Sequence, residues 1–374
     1  MKPDISGHLD NHNQDHSGTP VKIGVLVVCW HNFDLLDKCL LALSGQSIDI
    51  HRTVVIDNSS DHSPLELNAP RPANTLYIKL DENVGFAKAN NIGIEHLRDC
   101  TWVALINPDA FLASNCLAEL LQATVDHPEA SSFAAVTLNE SNPELLDGAG
   151  DAYHISGLCW RHGYGRAANS CSLLDTEIFS PCAAVALYRR EVYEALGGMD
   201  EDYFCYCEDV DLGFRMRLAG HKSRLIPSAQ ALHVGAASTG GQHSDFALYH
   251  GHRNLVWTFV KNMPASLFWL FLPVHLFMNL ATLLIYTARG KGLVLFRAKR
   301  DALMGLPAAW RKRQKIQANR SVSSREILRV LDISPFIDRK PEPLKQPSEQ
   351  KAPRPWASNS MDRCSKSSRE KNPG

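Results

Sequence analysis

The sequence has no dinucleotide-binding turn where one would be expected. Its first apolar run, Lys22 to Trp30, leads into Cys29-Trp-His-Asn32 and not into Gly-x-Gly-x-x-Gly, which sets aside a dinucleotide site. The same junction holds no Gly-rich loop bearing Lys or Arg, as a nucleotidyltransferase would need. Charge of one sign is also missing: 39 Lys and Arg face 40 Asp and Glu. No global field therefore draws the chain to nucleic acid. The ten cysteines follow no regular spacing, and Cys205-Tyr-Cys207 has no second thiol pair to match it, which argues against a disulfide framework and against zinc. No cleavable signal peptide opens the chain, whose first twenty residues are polar and rich in Asn, Asp and His. That pattern predicts a reducing cytosolic compartment with free thiols, where the Asn58-Ser-Ser sequon goes unused.

What is present is a succession of buried strands and amphipathic helices. At 374 residues and 44% hydrophobic content, the chain can bury one large core or two ordinary ones. Lys22–Trp30, Thr53–Ile56, Thr75–Leu80 and Trp102–Ile106 read as strands, the first, second and fourth buried on both faces. Asn32 is placed to cap a helix with Leu36, Cys39, Leu40 and Leu43 on one side, and Gly85–Leu97 reads as a second helix. A third helix is expected from Leu112 to about Val125, then an apolar run from Phe133 to Leu138. Residues 139–178 show no periodicity and predict a variable insertion. Phe179–Tyr188 is strand-like and Arg190–Leu196 helical. Strands alternating with helices imply a mostly parallel sheet, which binds ligands beyond the carboxyl ends of its strands. Asp57 and Asp109 stand at two such ends, although Asp is also an ordinary turn residue there.

The densest chemistry lies between Asp200 and Asp211, six carboxylates in twelve residues with Tyr203, Phe204 and Tyr206 among them. Aromatic residues beside acids suggest a pocket wall, where burial tunes acidity. The segment from Val210 to Leu218 fits a strand or a helix by spacing. Its residue types and Gly220 favour helix, with Glu208 and Asp209 at the N-terminus where the dipole favours carboxylate. A further strand, roughly Ser223–Ile226, leads through Pro227 to Leu232-His233.

Taken together these pieces resemble the inverting glycosyltransferases of family 2, in the bacterial rhamnosyltransferase-like subgroup. The matching stretches are Val27-Val-Cys-Trp-His-Asn32, Val55-Ile-Asp-Asn-Ser59, Asn83-Val-Gly-Phe-Ala-Lys-Ala-Asn-Asn-Ile-Gly93, Ile106-Asn-Pro-Asp109, Gly197-Gly-Met-Asp-Glu201, Glu208-Asp-Val-Asp-Leu212 and His233. Their order runs through about residues 22–238. The resemblance implies an α/β chain of the type A glycosyltransferase fold, a Rossmann-like, mostly parallel sheet flanked by helices. It implies a nucleotide-sugar donor, a polyprenyl-linked or polysaccharide acceptor, and Mg2+ or Mn2+. It assigns Asp57, with Asn58, to the nucleobase, Asn107 and Asp109 to the metal signature, and His233 to completion of the metal site. Gly85 and Asn91 fall on the nucleotide side. Asp209 matches the catalytic base and Glu208 its neighbour, while Asp200 and Asp211 take structural or acceptor-side roles. dTDP-rhamnose is the implied donor, other hexoses and galactofuranose staying open. The subgroup usually has Ser-Gly-Ala where this chain reads Ser180-Pro-Cys-Ala-Ala184, which alters the acceptor side. A nitrogen ligand such as His233 suits Mn2+ better than Mg2+. A sugar-nucleotide-binding scaffold without turnover is the alternative to an enzyme.

The organisation expected is a tail at 1–20, a catalytic domain at 21–245, a basic helical region at 246–335 and a tail at 336–374. Pro264 to Tyr286 has no charged residue over 23 positions, and eleven Lys or Arg against one acid lie between Arg289 and Arg325. Length alone permits a membrane span. Pro273, His275 and Asn279 interrupt the run, and basic residues flank both ends, against the positive-inside rule. The expectation is a helical pair lying on the cytoplasmic leaflet, its basic tract on anionic headgroups.

Overall fold

β1 (Ile23–Cys29) is buried at every position because strands bond to both of its edges and helices cover both faces. In the computed structural model, which describes residues 21–59, 70–171, 173–235, 241 and 243–334, it is the middle of a large mixed sheet. The tails expected at 1–20 and 336–374 lie outside the described residues. α1 (Phe33–Ser44) buries Leu36, Cys39, Leu40 and Leu43, the set its periodicity predicts. Asn32 holds the N-cap position but at φ 56, and its side chain makes no cap bond. A side-chain cap needs extended backbone there, and the left-handed turn forfeits it.

β2 (Arg52–Asp57), β3 (Thr75–Lys79), α2 (Phe86–Ile94) and β4 (Trp102–Ile106) repeat the alternation. Strands β4, β1, β2 and β3 lie side by side and parallel. α2 stops short of Leu97 and tightens into a 3-10 turn over Glu95–Leu97. The single helix expected from Leu112 is instead β5 (Ala110–Leu112) followed by α3 (Cys116–Asp126), since Leu112 pairs in register with Ala231.

The stretch at 139–178 is the largest departure from expectation. After β6 (Ala130–Asn139) it forms β7 (Asn142–Gly148), a hairpin of β8 (Asp151–Tyr153) and β9 (Cys159–Arg161), and β10 (Thr176–Ile178). These strands bury Asp147 and Asp151 among Leu146, Ala149, Ala152, Tyr153 and Ile178, a mixture of acids and apolar residues in short strands that shows no clear hydrophobic alternation. β11 (Val185–Arg189) runs antiparallel between β4 and β6, and α4 (Arg190–Ala195) follows. α5 (Glu208–Leu218) is a helix whose residues are all buried except Asp209. Burial all round explains why two periodicities fit it. β12 (Lys222–His233) is twelve residues long, parallel to β6 with a register shift between Ile226 and Gln230 beside Pro227. The spatial order is β10-β12-β6-β11-β4-β1-β2-β3.

Five helices complete the described chain: α6 (Asp245–Asn262), α7 (Ala265–Ala288), α8 (Gly292–Met304), α9 (Leu306–Ala318) and α10 (Ser324–Val330). α6 packs against α5, α8 and α9. α7 is continuous through Pro273, where an interruption was expected. It is the one described helix long and apolar enough to cross a bilayer, with 11% of its most apolar window buried. Its polar residues turn inward: His275 bonds Ser156 O at 2.7 Å and stacks on Phe259. Its apolar residues Trp269, Leu276, Phe277, Leu280 and Leu284 are exposed. The basic tract is likewise divided. Arg313 is buried on the carbonyls of Val260 and Met263, and Lys312 binds Asp200 and Asp202, while Arg289, Arg297, Arg300 and Arg311 stay exposed.

α6 braces the acidic stretch. Phe204, Tyr206 and Cys207 all have positive φ, a costly backbone for residues with a Cβ. The Asn254 amide holds that turn by donating to the carbonyls of Tyr203, Cys205 and Tyr206 at 2.8–3.0 Å. Two turns further along the same helix, buried Lys261 pairs with Asp200 and, at 2.8 Å, with Asp211. Burial opposes the charged form of Asp211, yet Lys261 and then Arg215 outweigh it and hold its carboxyl far below the usual range. Lys261→Met strands two buried carboxylates and is expected to cost about 3–5 kcal/mol, read as a lower urea midpoint. Because Asp200 and Asp211 are both held low, their contribution is present above their unfolded pKa near 4 and fades as pH falls. The gap between wild type and Lys261→Met should therefore narrow on acidification.

Candidate active site

The carboxyl ends of the parallel strands β1, β2 and β4 lie side by side. Asp57 ends β2, where its Oδ1 accepts from the Ser59 amide at 3.0 Å and from the Ser59 hydroxyl. Its Oδ2 is buried with no hydrogen-bond partner among the described residues, Lys79 Nζ standing 3.6 Å away. A buried acceptor without a hydrogen bond is costly, and at Asp57 the Lys79 ion pair offsets part of that cost. Cys29, at the end of β1, lies between Asp57 and Asp109. Burial, then those two charges, push its thiol up to about 12.

Asp109 and His233 meet because β5 pairs antiparallel with the end of β12, setting Ala110 opposite His233. His233 Nε2 is 3.2 Å from Asp109 Oδ1 and 3.5 Å from Asn107 Nδ2. Residues 109 and 233, far apart in sequence, are thus one contact. The other ring nitrogen, Nδ1, lies 2.8 Å from Asp147 Oδ2, which also accepts from Thr137 Oγ1 at 3.0 Å and Arg161 Nη1 at 2.7 Å. Asp147 comes from the segment read as an insertion and was missed. A carboxylate behind a histidine fixes its tautomer and turns the free nitrogen to its ligand. Burial opposes charge on His233, but the bonds to Asp109 and Asp147 outweigh it and raise its pKa. Asp109 and Asp147 are, against burial, held low by the same histidine, with Arg161 assisting at Asp147. One carboxylate and one oriented imidazole, Asp109 and His233, supply oxygen and nitrogen donors of the kind a divalent cation takes.

Asp209 is linked to this pair through Arg161, which is in electrostatic reach of Cys182, Asp147, Asp151 and Asp209. The Asp209 carboxylate is half-buried, its Oδ1 accepting from its neighbour Val210 N at 2.8 Å and its Oδ2 from Ala183 N at 3.1 Å. The Ser180–Ala184 stretch that departs from the subgroup therefore supplies a bond to Asp209. Close packing makes this possible: Gly213 in α5 lies against Ser180, whose Cβ a methyl group would meet at 2.2 Å. Asp151, Cys182 and Asp209 bring ligand-type atoms within 4.8 Å of one another. Asp151 was also missed. Burial, then the charge of Asp209, push its carboxyl well above the usual range.

Glu208 differs from expectation. The helix N-terminus was expected to favour its carboxylate, but burial and then Asp209 drive its pKa well up, and its Oε2 has no partner among the described residues. Other expected ligand contacts are spent inside the protein. Asn58 donates to Asn83 Oδ1 and accepts from Val84 N, each at 3.0 Å. Asn91 donates to Met199 O at 2.8 Å and Glu201 Oε1 at 3.1 Å, and accepts from Tyr193 OH and Met199 N. Gly85, at φ 86, lies so close to Phe204 that a Cβ would sit at 2.6 Å. Asn91 and Gly85 position the acidic loop against α2, while Asn58 holds the turn that precedes that helix. Asp211 is wholly enclosed by Lys261, Arg215, Asn262 and Tyr203, which makes it structural.

Residues 24–197 match the model of the family described as Glycosyl transferase family 2. An N-acetylglucosaminyl-diphospho-decaprenol L-rhamnosyltransferase of Mycobacterium tuberculosis is 28% identical over 227 residues, spanning 55% of this chain and 73% of the relative. Rhamnosyltransferase WbbL of Escherichia coli is 23% identical over 224 residues, spanning 56% and 82%. The crystal structure of GalNAc-T7 with UDP, GalNAc and Mn2+ superposes with a TM-score of 0.51 at 13% identity, over 64% of this chain and 48% of that one. That likeness concerns the fold, a type A glycosyltransferase sheet.

The Asp147–His233 bond predicts a titration. In metal-free protein the His233 imidazolium should persist above the ordinary midpoint near 6.5. Asp147→Asn removes one of the two carboxylates that sustain it, so the midpoint should move down. Histidine NMR resolves both, and an unmoved midpoint would mean that Asp147 does not set this ring.

Proposed function

Given that the chain is a glycosyltransferase with a family 2 domain over residues 24–197, we propose that it transfers rhamnose from dTDP-rhamnose, with inversion, to a lipid-linked acceptor. The observation that supports this most is that Asp109, His233 and Asp147 join in one hydrogen-bonded chain, and that Arg161, which binds Asp147, also lies within electrostatic reach of Asp209. The donor and acceptor classes follow the two rhamnosyltransferase relatives, one of them named for a decaprenol-linked substrate.

In this reading Asp57 Oδ2 accepts from the imide N–H of the base. Asp109 and His233 hold Mg2+ or Mn2+, which when bound neutralises charge on the departing diphosphate. Asp147 keeps a proton on His233 Nδ1, so that Nε2 offers its lone pair. Asp209 takes the proton of the acceptor hydroxyl as that oxygen bonds to the anomeric carbon, and the bond to the diphosphate breaks on the opposite face. The amides of Ala183 and Val210 keep the carboxylate aimed. Glu208, enclosed and with its pKa raised, shapes the site beneath the base.

The exposed apolar side of α7, with Leu293, Phe296, Leu303 and Met304 of α8, forms a patch larger than soluble surfaces usually leave open. Arg289, Arg297, Arg300 and Arg311 stand exposed around it. We read this as a face that lies on anionic lipid at the cytoplasmic side of the cell membrane, where a lipid-linked acceptor is held.

The test uses the full chain, dTDP-rhamnose, Mn2+ and N-acetylglucosaminyl-diphospho-polyprenol. Asp209→Asn should lower turnover by about 10²–10⁴-fold, the usual worth of a general base, with donor affinity by calorimetry unchanged. Wild type that binds donor but turns nothing over would make the chain a scaffold.

A further inference from the structure

A groove of about 810 Å³ runs between α6, α7, α8 and α9. Its walls include Val260, Leu276, Leu280, Leu303, Leu306 and Trp310. Leu276, Leu280, Leu303 and Trp310 are at the same time exposed, so it opens on the apolar face described above. One charged residue lines it, Lys299. The Lys299 ammonium donates to His252 O at 2.9 Å and Asn279 Oδ1 at 2.5 Å. Both acceptors are neutral, and no carboxylate pairs with it among the described residues. A desolvated cation without a counter-ion is unfavourable, and burial draws its pKa down to about 7. An anion placed there would restore the charged form.

The position of Lys299 bears on the site as well. It lies within electrostatic reach of Cys207, two residues before Asp209. His275, on the same wall, is bonded to Ser156 in the turn joining β8 to β9, and those strands begin with Asp151 and end with Arg161. The groove therefore has its cation toward the catalytic loop and its apolar walls toward the lipid-facing surface. A molecule with a phosphate at one end and a long hydrocarbon chain behind it matches both.

We propose that this groove binds the first isoprene units of the acceptor's lipid, with Lys299 as the contact for its phosphate. The inference rests on the lipid-linked reading above and gives the acceptor a second point of attachment, separate from Asp209. Threading the chain through the groove fixes which hydroxyl of the attached sugar arrives at the base, because the phosphate is anchored on one side and the reacting atom on the other.

Binding is measured without transfer, by quenching of tryptophan fluorescence in the full chain, with farnesyl diphosphate, farnesol and inorganic pyrophosphate as probes. Farnesyl diphosphate should bind about tenfold or more tighter than either farnesol or pyrophosphate, the worth of one charge-assisted contact added to tail burial. Lys299→Met should erase the advantage over farnesol and keep farnesol binding. Leu303→Trp, which fills the groove, should weaken both isoprenoids. Thermal melting checks that each variant is folded, and should either not be, Lys299→Gln and Ala302→Leu replace them. Equal affinity for farnesyl diphosphate in wild type and both variants overturns the proposal, as does competition by pyrophosphate alone at the same concentration. Because none of these readouts needs a sugar donor, loss of the glycosyltransferase reading and loss of this site would be seen separately.

Discussion

A carboxylate taken out of water has to meet a cation or keep its proton, and the catalytic half of this molecule is laid out by that rule. Three cations satisfy most of it. Lys261 answers Asp200 and Asp211, Arg215 shares Asp211, and Arg161 answers Asp147. Where burial outweighs any nearby cation, at Asp151 despite Arg161 and at Glu208, it shifts the balance toward the protonated acid. The consequence is a sorting of acids packed closely together into those that carry charge and those that do not. Desolvation costs several kcal/mol for each uncompensated ion, so the sorting is enforced by the fold and not by small differences in local field.

The same rule ties the C-terminal helices to the chemistry. Lys261 belongs to α6 and Lys312 to α9, yet both end on Asp200 in the acidic loop. Asn254 of α6 holds the carbonyls of a turn whose backbone is in the left-handed region at Phe204, Tyr206 and Cys207. A backbone of that kind persists only where its surroundings over-determine it. The face that we place on lipid is thus connected, by two ion pairs and one amide, to the loop that presents Asp209. A helical block that served only as an anchor would need no such connections.

How much of this the sequence made legible depends on what each segment buries. Strands such as Ile23–Cys29 and Trp102–Ile106 bury hydrocarbon on both sides, and an uninterrupted apolar run announces them. α1 shows its face by period alone. The segment holding Asp147, Asp151 and Arg161 buries charge, and hydrophobic periodicity has nothing to report there. Its three polar residues could have been suspected from one signal only, acids and an arginine set among glycines in a stretch that a plain surface loop does not require. At Asn58, Gly85 and Asn91 residue type pointed to a constrained neighbourhood, and the structure shows internal partners for all three. The partners that use up their hydrogen bonds, Val84, Met199, Glu201 and Phe204, are reached through tertiary contacts. Asn32 fails as a cap for a comparable reason, a backbone conformation that residue identity does not announce.

The choice between Glu208 and Asp209 shows what the coordinates add to a motif. Both are carboxylates at the first turn of α5, and the helix dipole acts on both alike. Rotation about the helix axis separates them: one step of about 100° turns Glu208 into the packed interior and leaves Asp209 as the only residue of α5 that is not buried. The buried member loses access to a substrate proton. The other is half-buried and accepts two amides, from Ala183 and Val210, which hold its carboxylate in place. A general base must combine reach with a conjugate acid formed during reaction, and geometry precedes acidity in that requirement. On this helix a single residue is placed to meet it, which supports the proposal that Asp209 is the base and Glu208 its buried neighbour.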